Sequence, residues 1–144
     1  MVSRSDGAHL LTDRPIPAAV PGRIAVVGPC AAGKTTLATR LRTLGYDVRH
    51  CLQEHSQVAD MWQRISRPQV LIYLDVSHER SLLRKANGPS ALEWQAQQVR
   101  LAHARRHCTL YIDTDPLSIV QVYQRAQDML DRLGVTPHTQ TSAF

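Results

Sequence analysis

The chain has 144 residues, a formal net charge of +5 from 17 Lys and Arg against 12 Asp and Glu, and a hydrophobic content of 43%. That length suits one domain with a core of its own, and no run approaches the roughly 20 apolar residues that a membrane helix needs. The positive charge comes from fifteen scattered Arg and only two Lys, with seven aromatics and no basic stripe, so neither a nucleic-acid partner nor a membrane is expected.

Residues 1 to 21 hold Pro15, Pro17 and Pro21 without sustained periodicity and read as a flexible leader. Met1 to Leu11 lacks the apolar stretch of a secretory signal. Three cysteines, Cys30, Cys51 and Cys108, are odd in number and have no metal-ligand spacing, which fits reduced thiols. The cytoplasm is therefore the expected compartment.

A strand is expected over about 23 to 27, from Ile24-Ala25-Val26-Val27. It runs into Gly28-Pro29-Cys30-Ala31-Ala32-Gly33-Lys34-Thr35, which reads G-x-x-x-x-G-K-T, and then into a helix from Lys34 to Leu44 whose face is marked by Leu37, Leu41 and Leu44. Strand, glycine loop and helix in that order are the context of a P-loop. The chemistry explains the spacing: Gly28 and Gly33 let backbone N–H groups close around an anion at a helix N-terminus. In such a loop Gly28 to Thr36 cradle phosphate, Lys34 reaches the β- and γ-phosphates, and the Thr35 hydroxyl ligates Mg²⁺. Cys30 is either a small filler of the loop or a thiol activated by the helix N-terminus.

Gly45 ends the helix, and a second strand is expected over about 46 to 52. Beyond it lie Gln53-Glu54-His55-Ser56, polar groups at the carboxyl edge of a strand, where open α/β sheets hold ligands. Ser56 is read as the cap of a helix in which Val58, Met61, Trp62 and Ile65 form an apolar stripe that Pro68 stops. Val70-Leu71-Ile72-Tyr73-Leu74 is a buried parallel strand ending in Asp75. Ser77 caps a short helix carrying Leu82 and Leu83, Ala86 to Pro89 break it, and Ser90-Ala91-Leu92-Glu93 reads as a capping box opening a helix to about His107. Leu110 to Ile112 form a last strand. Asp115 then caps a helix lined by Ile119, Val122, Tyr123, Ala126 and Leu130 and ended by Gly134.

Four strands alternating with helices specify an α/β fold: a three-layer α/β/α domain over 22–134 with a small, mostly parallel sheet, followed by a polar tail over 135–144. No internal repeat is present. Asp131-Arg132-Leu133-Gly134 matches the D-x-x-G string of GTPases but lies at the end of a helix, and no N-K-x-D signature exists, so ATP is preferred over GTP.

From about 23 to 133 the chain resembles the small P-loop kinases, the group holding nucleoside monophosphate kinases and shikimate-kinase-like enzymes. GPCAAGKTT carries the specific part of the resemblance. LIYLDVSHERSLLRK is similar to the late strand and Arg-bearing lid helix of thymidylate-kinase-like members, and YIDTDPLSIVQVYQRAQDML to their last strand, adenine-side loop and closing helix. The resemblance implies an ATP- and Mg²⁺-dependent transfer of the γ-phosphoryl group to a small acceptor that the sequence does not identify. It sets Arg80 and Arg84 near the lid, with Arg84 among the nucleotide contacts, and Thr114 to Pro116 near the base. The lid between Lys85 and Ser90 is shortened to a turn. The strand ending in Asp75 reads either as the late strand, which the helices around the short turn favour, or as a Walker-B-like strand whose Asp serves magnesium.

Phosphoryl transfer asks for positioning, charge neutralisation and one group to orient the acceptor. Lys34, Glu54 and Asp75 are the candidate catalytic residues, with Thr35 and Asp75 as candidate magnesium ligands. Asp60 is read as a helix-surface charge. His55 is not assigned a catalytic role. His103 and His107, four apart on one helix, lack an evident third ligand and read as surface groups. A nucleotide-binding regulatory or interaction protein, or an ATPase acting on a partner, is the alternative. The oligomeric state is left open by the sequence.

Overall fold

The computed structural model describes residues 14–138. The elements are β1 (Val20–Val27), α1 (Lys34–Thr43), β2 (Val48–His50), β3 (Pro68–Asp75), α2 (His78–Arg84), α3 (Ala91–His107), β4 (Leu110–Asp113) and α4 (Ile119–Leu133). A 3₁₀ turn at Gln53–His55 and a wide, π-type turn at Trp62–Ser66 fill the stretch between β2 and β3. All four strands are parallel, in the order β2-β1-β3-β4, so the fold is α/β as the alternation of patterns implies. Among the described residues no helix is long and apolar enough to cross a membrane.

The period of two along β1 and β3 divides the core into two layers. Ile24, Val26, Val70, Ile72 and Leu74 pack with Leu37, Leu41, Ala126 and Leu130, from α1 and α4, on one face. Ala25, Val27, Leu71 and Tyr73 pack with Trp62, Leu101 and Ala104, from the wide turn and α3, on the other. Central strands covered on both faces explain why Ile24 to Val27 and Val70 to Leu74 are near-continuous apolar runs.

β1 starts at Val20, earlier than the sequence pattern suggests. Its register against β3 shifts between Val20 and Ile24, where four residues of β1 span two of β3. Gly22 sits in that irregularity with φ +78°, and its N–H donates to the Gln69 side chain. Residues 1–13 of the expected leader and 139–144 of the expected tail lie outside the described residues. The first residues of the tail dock: Val135 is buried, and His138 N–H donates to Gly45 O at 2.8 Å.

Three local expectations are corrected. No α-helix runs from Ser56, because the Ser56 hydroxyl closes a tight turn with Val58, accepting from its N–H at 3.1 Å. The supposed stripe splits accordingly: Trp62 is buried and Ile65 is 66% exposed. Asp115 does not cap α4. Its carboxylate accepts from Ser77 N–H at 3.0 Å, while Ser118 caps α4 in a full capping box with Gln121. At Ser90 only half of the box forms, the hydroxyl accepting from Glu93 N–H at 3.2 Å.

Candidate active site

The Gly28–Thr35 loop leaves the carboxyl end of β1, in the middle of the sheet, and feeds α1. Gly28 is fixed by space: a Cβ there would stand 2.0 Å from Leu74 O of the neighbouring strand. Gly33 is fixed by conformation, with φ +95° and open space around it. Ala31 also takes a positive φ, +66°, a strained position for a residue with a side chain that costs about 1–2 kcal/mol. The first helical backbone bond of α1 is Leu37 N–H to Gly33 O, at 3.0 Å, so the N–H groups ahead of it form the open end of the helix.

Lys34 folds back under the loop. Its ammonium donates to Gly28 O at 2.8 Å and Pro29 O at 2.9 Å, and lies 3.0 Å from Glu54 Oε2. Both side chains are almost fully buried, with residue exposures of 7% for Lys34 and 2% for Glu54. Glu54 reaches Lys34 because β2 is the direct neighbour of β1, which brings the turn just beyond β2 beside the loop. Glu54 Oε1 is buried with no hydrogen-bond partner.

The turn that carries Glu54 is pinned from three sides. Gln53, fully buried, donates to Val58 O and Arg100 O and accepts from Trp62 N–H. Arg100 in turn donates to Glu54 O at 3.2 Å. The loop is held by the same helix: Cys30 N–H donates to Gln97 Oε1 at 3.1 Å, and Gln97 Nε2 donates to Cys30 Sγ at 3.2 Å. The Cys30 N–H is thus committed inside the protein, which removes it from the donors that the sequence assigned to an anion.

Two clefts flank the loop and share Ala31, Gly33 and Thr36. The polar one, about 370 Å³, is lined by Lys34, Thr35, His50, Glu54, His55 and Lys85 among others. Burial, followed by the nearby Lys34 ammonium, pulls the His50 imidazole below its ordinary pKa, with Glu54 opposing. Its Nε2 is buried and unpartnered. The other cleft, about 410 Å³, is more apolar, with Leu37, Leu117, Val122 and Tyr123 facing Arg84 and Thr114. Arg84 bridges its rim, donating to Ala31 O at 3.0 Å, to Thr114 Oγ1 at 3.1 Å and to Thr114 O at 3.1 Å.

The structure therefore brings together the loop residues, Lys34, Thr35, Thr36, Glu54 and Arg84. It does not bring Asp75 to them. The odd positions of β3 face α3, so the Asp75 carboxylate meets Arg105 at 2.7 Å and the Tyr111 hydroxyl, and its other oxygen accepts from Val76 N–H at 2.9 Å. It lines a separate cleft with Ser77, His78 and Asp113. Asp75, expected as magnesium ligand and catalytic carboxylate, is thus engaged by Val76, Arg105 and Tyr111 and lines a different cleft from Lys34 and Thr35. Asp60 lies in the turn just ahead of Trp62–Ser66, not on an α-helix surface, and pairs with Arg64 Nε at 3.0 Å. The rings of His103 and His107 lie with centroids 4.3 Å apart and planes tilted by 37°, and His103 Nδ1 accepts from the Trp62 indole at 3.1 Å, so His103 is a packing residue.

Sequence reading missed Gln97 and His50; it placed Gln53 in the polar cluster after β2, and read Arg100 as reaching phosphate or lying on a solvated helix face, whereas Arg100 holds the turn that carries Glu54. Gln97 had a signal: it falls four and seven residues before Leu101 and Ala104, on the buried stripe of α3, where an amide needs a partner. His50 had none, because its role depends on where the turn after β2 bends. Comparison of the chain with known protein families, with curated proteins and with solved structures gave no match.

Proposed function

We propose that the chain binds a nucleoside triphosphate, ATP, through Gly28–Thr36 and uses it as a small-molecule kinase of P-loop type, transferring the γ-phosphoryl group with Mg²⁺ to a small acceptor. The observation that supports it best is the seating of Lys34: a buried ammonium held by two carbonyls of the loop itself and by one carboxylate, at the open end of α1. Such a cation and the free N–H groups of a helix start favour an anion at one point.

The residues divide the work between two clefts. The loop amides and Lys34 neutralise charge as it develops on transferring oxygens, the Thr35 hydroxyl faces the polar cleft as the metal-side group, and Arg84 and Tyr123 border the apolar cleft on the base side. Glu54 is the single carboxylate lining the polar cleft among the described residues, and it orients or deprotonates the acceptor hydroxyl once Lys34 turns to phosphate. Bound ATP and Mg²⁺ would supply the phosphoryl group and its charge compensation.

Calorimetric titration with Mg-ATP, followed by measurement of ADP release with candidate acceptors, tests the reading. Binding that Lys34→Ala abolishes, with turnover that Glu54→Gln reduces at least a hundredfold, is the expected result. A wild type that binds no triphosphate overturns it.

One observation favours a second reading, a nucleotide-binding regulatory protein without transfer. Asp75 is engaged by Arg105 and Tyr111, so one carboxylate must serve both Lys34 and an acceptor. On that reading ATP binds, no acceptor is phosphorylated, and Glu54→Gln leaves the bound state and its partner unchanged.

A further inference from the structure

Cys30, Glu54 and His55 converge at the polar cleft although they come from two separate segments, the loop and the turn after β2. Their sulfur, carboxylate oxygen and ring nitrogen all lie within 4.8 Å of one another. In a tetrahedral zinc site, bonds of roughly 2.0–2.3 Å set ligand atoms about 3.4–3.8 Å apart, so the three need approach by no more than about 1.4 Å. His55 supplies that freedom, since its side chain is 57% exposed while Glu54 is buried.

A second observation is independent of this spacing. Glu54 spends Oε2 on Lys34, yet Oε1 is buried and without a partner, which leaves a desolvated acceptor wanting a cation or a donor. The sulfur is also held in place, because Gln97 Nε2 donates to it at 3.2 Å.

We propose that Cys30, Glu54 and His55 form a binding site for a thiophilic divalent cation, with Zn²⁺ as its natural class, leaving a fourth position open to the cleft. The donor set selects the metal: a thiolate and an imidazole suit zinc or cobalt, whereas Mg²⁺ takes oxygen ligands. On binding, the Cys30 thiol loses its proton to solvent and the sulfur enters as thiolate. Once the thiol has given up its proton to the incoming ion, the thiolate and the Glu54 carboxylate together outweigh the Lys34 ammonium, so the ion meets a net negative donor set. This site shares Glu54 and the polar cleft with the nucleotide reading, but it does not depend on that reading, since it needs no phosphate in the loop.

The test is titration of the metal-free full chain with Co²⁺ and with Zn²⁺, without nucleotide. The expected result is one ion per chain, a thiolate-to-cobalt charge-transfer band, loss of that band in Cys30→Ser and at least tenfold weaker binding in His55→Ala. Cys108→Ser, which removes another partly exposed thiol, leaves the band intact. Circular dichroism of each variant checks that it is folded. Absence of a bound ion in the wild type, a band that survives Cys30→Ser, or affinity indifferent to His55→Ala overturns the proposal. Mg-ATP binding measured separately on the chain stripped of transition metal and then freed of chelator reports on the nucleotide reading alone.

Discussion

Glu54 Oε2 lies 3.0 Å from Lys34 Nζ, and neither side chain has appreciable contact with solvent. Removing one member of a buried pair strands the other charge, at a cost of about 3–5 kcal/mol, whereas removing both together costs less than the sum. Lys34→Met and Glu54→Gln are expected to lower the urea midpoint strongly as single changes and sub-additively as a double variant. A simple sum of the two effects would show that the pair is not coupled.

Gly28 and Gly33 answer to different constraints, and alanine separates them. Gly28→Ala drives a Cβ into Leu74 O and is expected to cost several kcal/mol, because the obstacle is backbone of a central strand. Gly33→Ala meets nothing and pays only for its positive φ, about 1–2 kcal/mol. Thermal unfolding should show a far larger fall in Tm for Gly28→Ala.

Arg84 ties the loop to the segment after β4 through Ala31 and Thr114. Its replacement by Ala is expected to speed amide exchange around Ala31 and weaken the proposed nucleotide binding roughly tenfold, about 1.4 kcal/mol, while Arg80→Ala changes neither. Exchange mass spectrometry and calorimetry read the two effects. Equal behaviour of the two variants would remove Arg84 from the site.

Acid should destabilise the chain through two imidazoles. Burial holds both His50 and His103 below the ordinary histidine value of 6.5; Lys34 and Arg42 reinforce this at His50, and His107 and Arg106 at His103, against Glu54 and Asp60 respectively. The unfolded chain then binds more protons than the folded one, so their stabilising contribution is complete above about pH 6.5 and lost as pH falls through the folded values. Protonation also deprives Trp62 of its acceptor on His103. Denaturant midpoints should fall between pH 7.5 and 5, and less steeply in a His50→Gln, His103→Gln double variant.

Much of the architecture was legible in the chain because it rests on local rules. The apolar runs at Ile24 and Val70, the Ser77 cap, the left-handed stop at Gly134 and the glycine loop all follow from nearest neighbours. Ser56 misled because a hydroxyl can cap a helix or close a turn with equal chemistry, and tertiary contacts decide which. The pairing of Asp75 with Arg105 was not legible, because the face on which a strand-end side chain falls is set by pleat and register, which residue type does not encode. The Lys34 to Glu54 pairing required knowing that β2 lies directly beside β1.

Helix α3 touches both halves of the candidate site within one turn: Gln97 grips Cys30, and Arg100 binds the turn that bears Glu54. The helix thus works as a gauge block between loop and carboxylate. A tilt of α3 would carry both ends in concert and preserve their separation, so a ligand or partner pressing on this helix would switch the whole site instead of loosening one side of it.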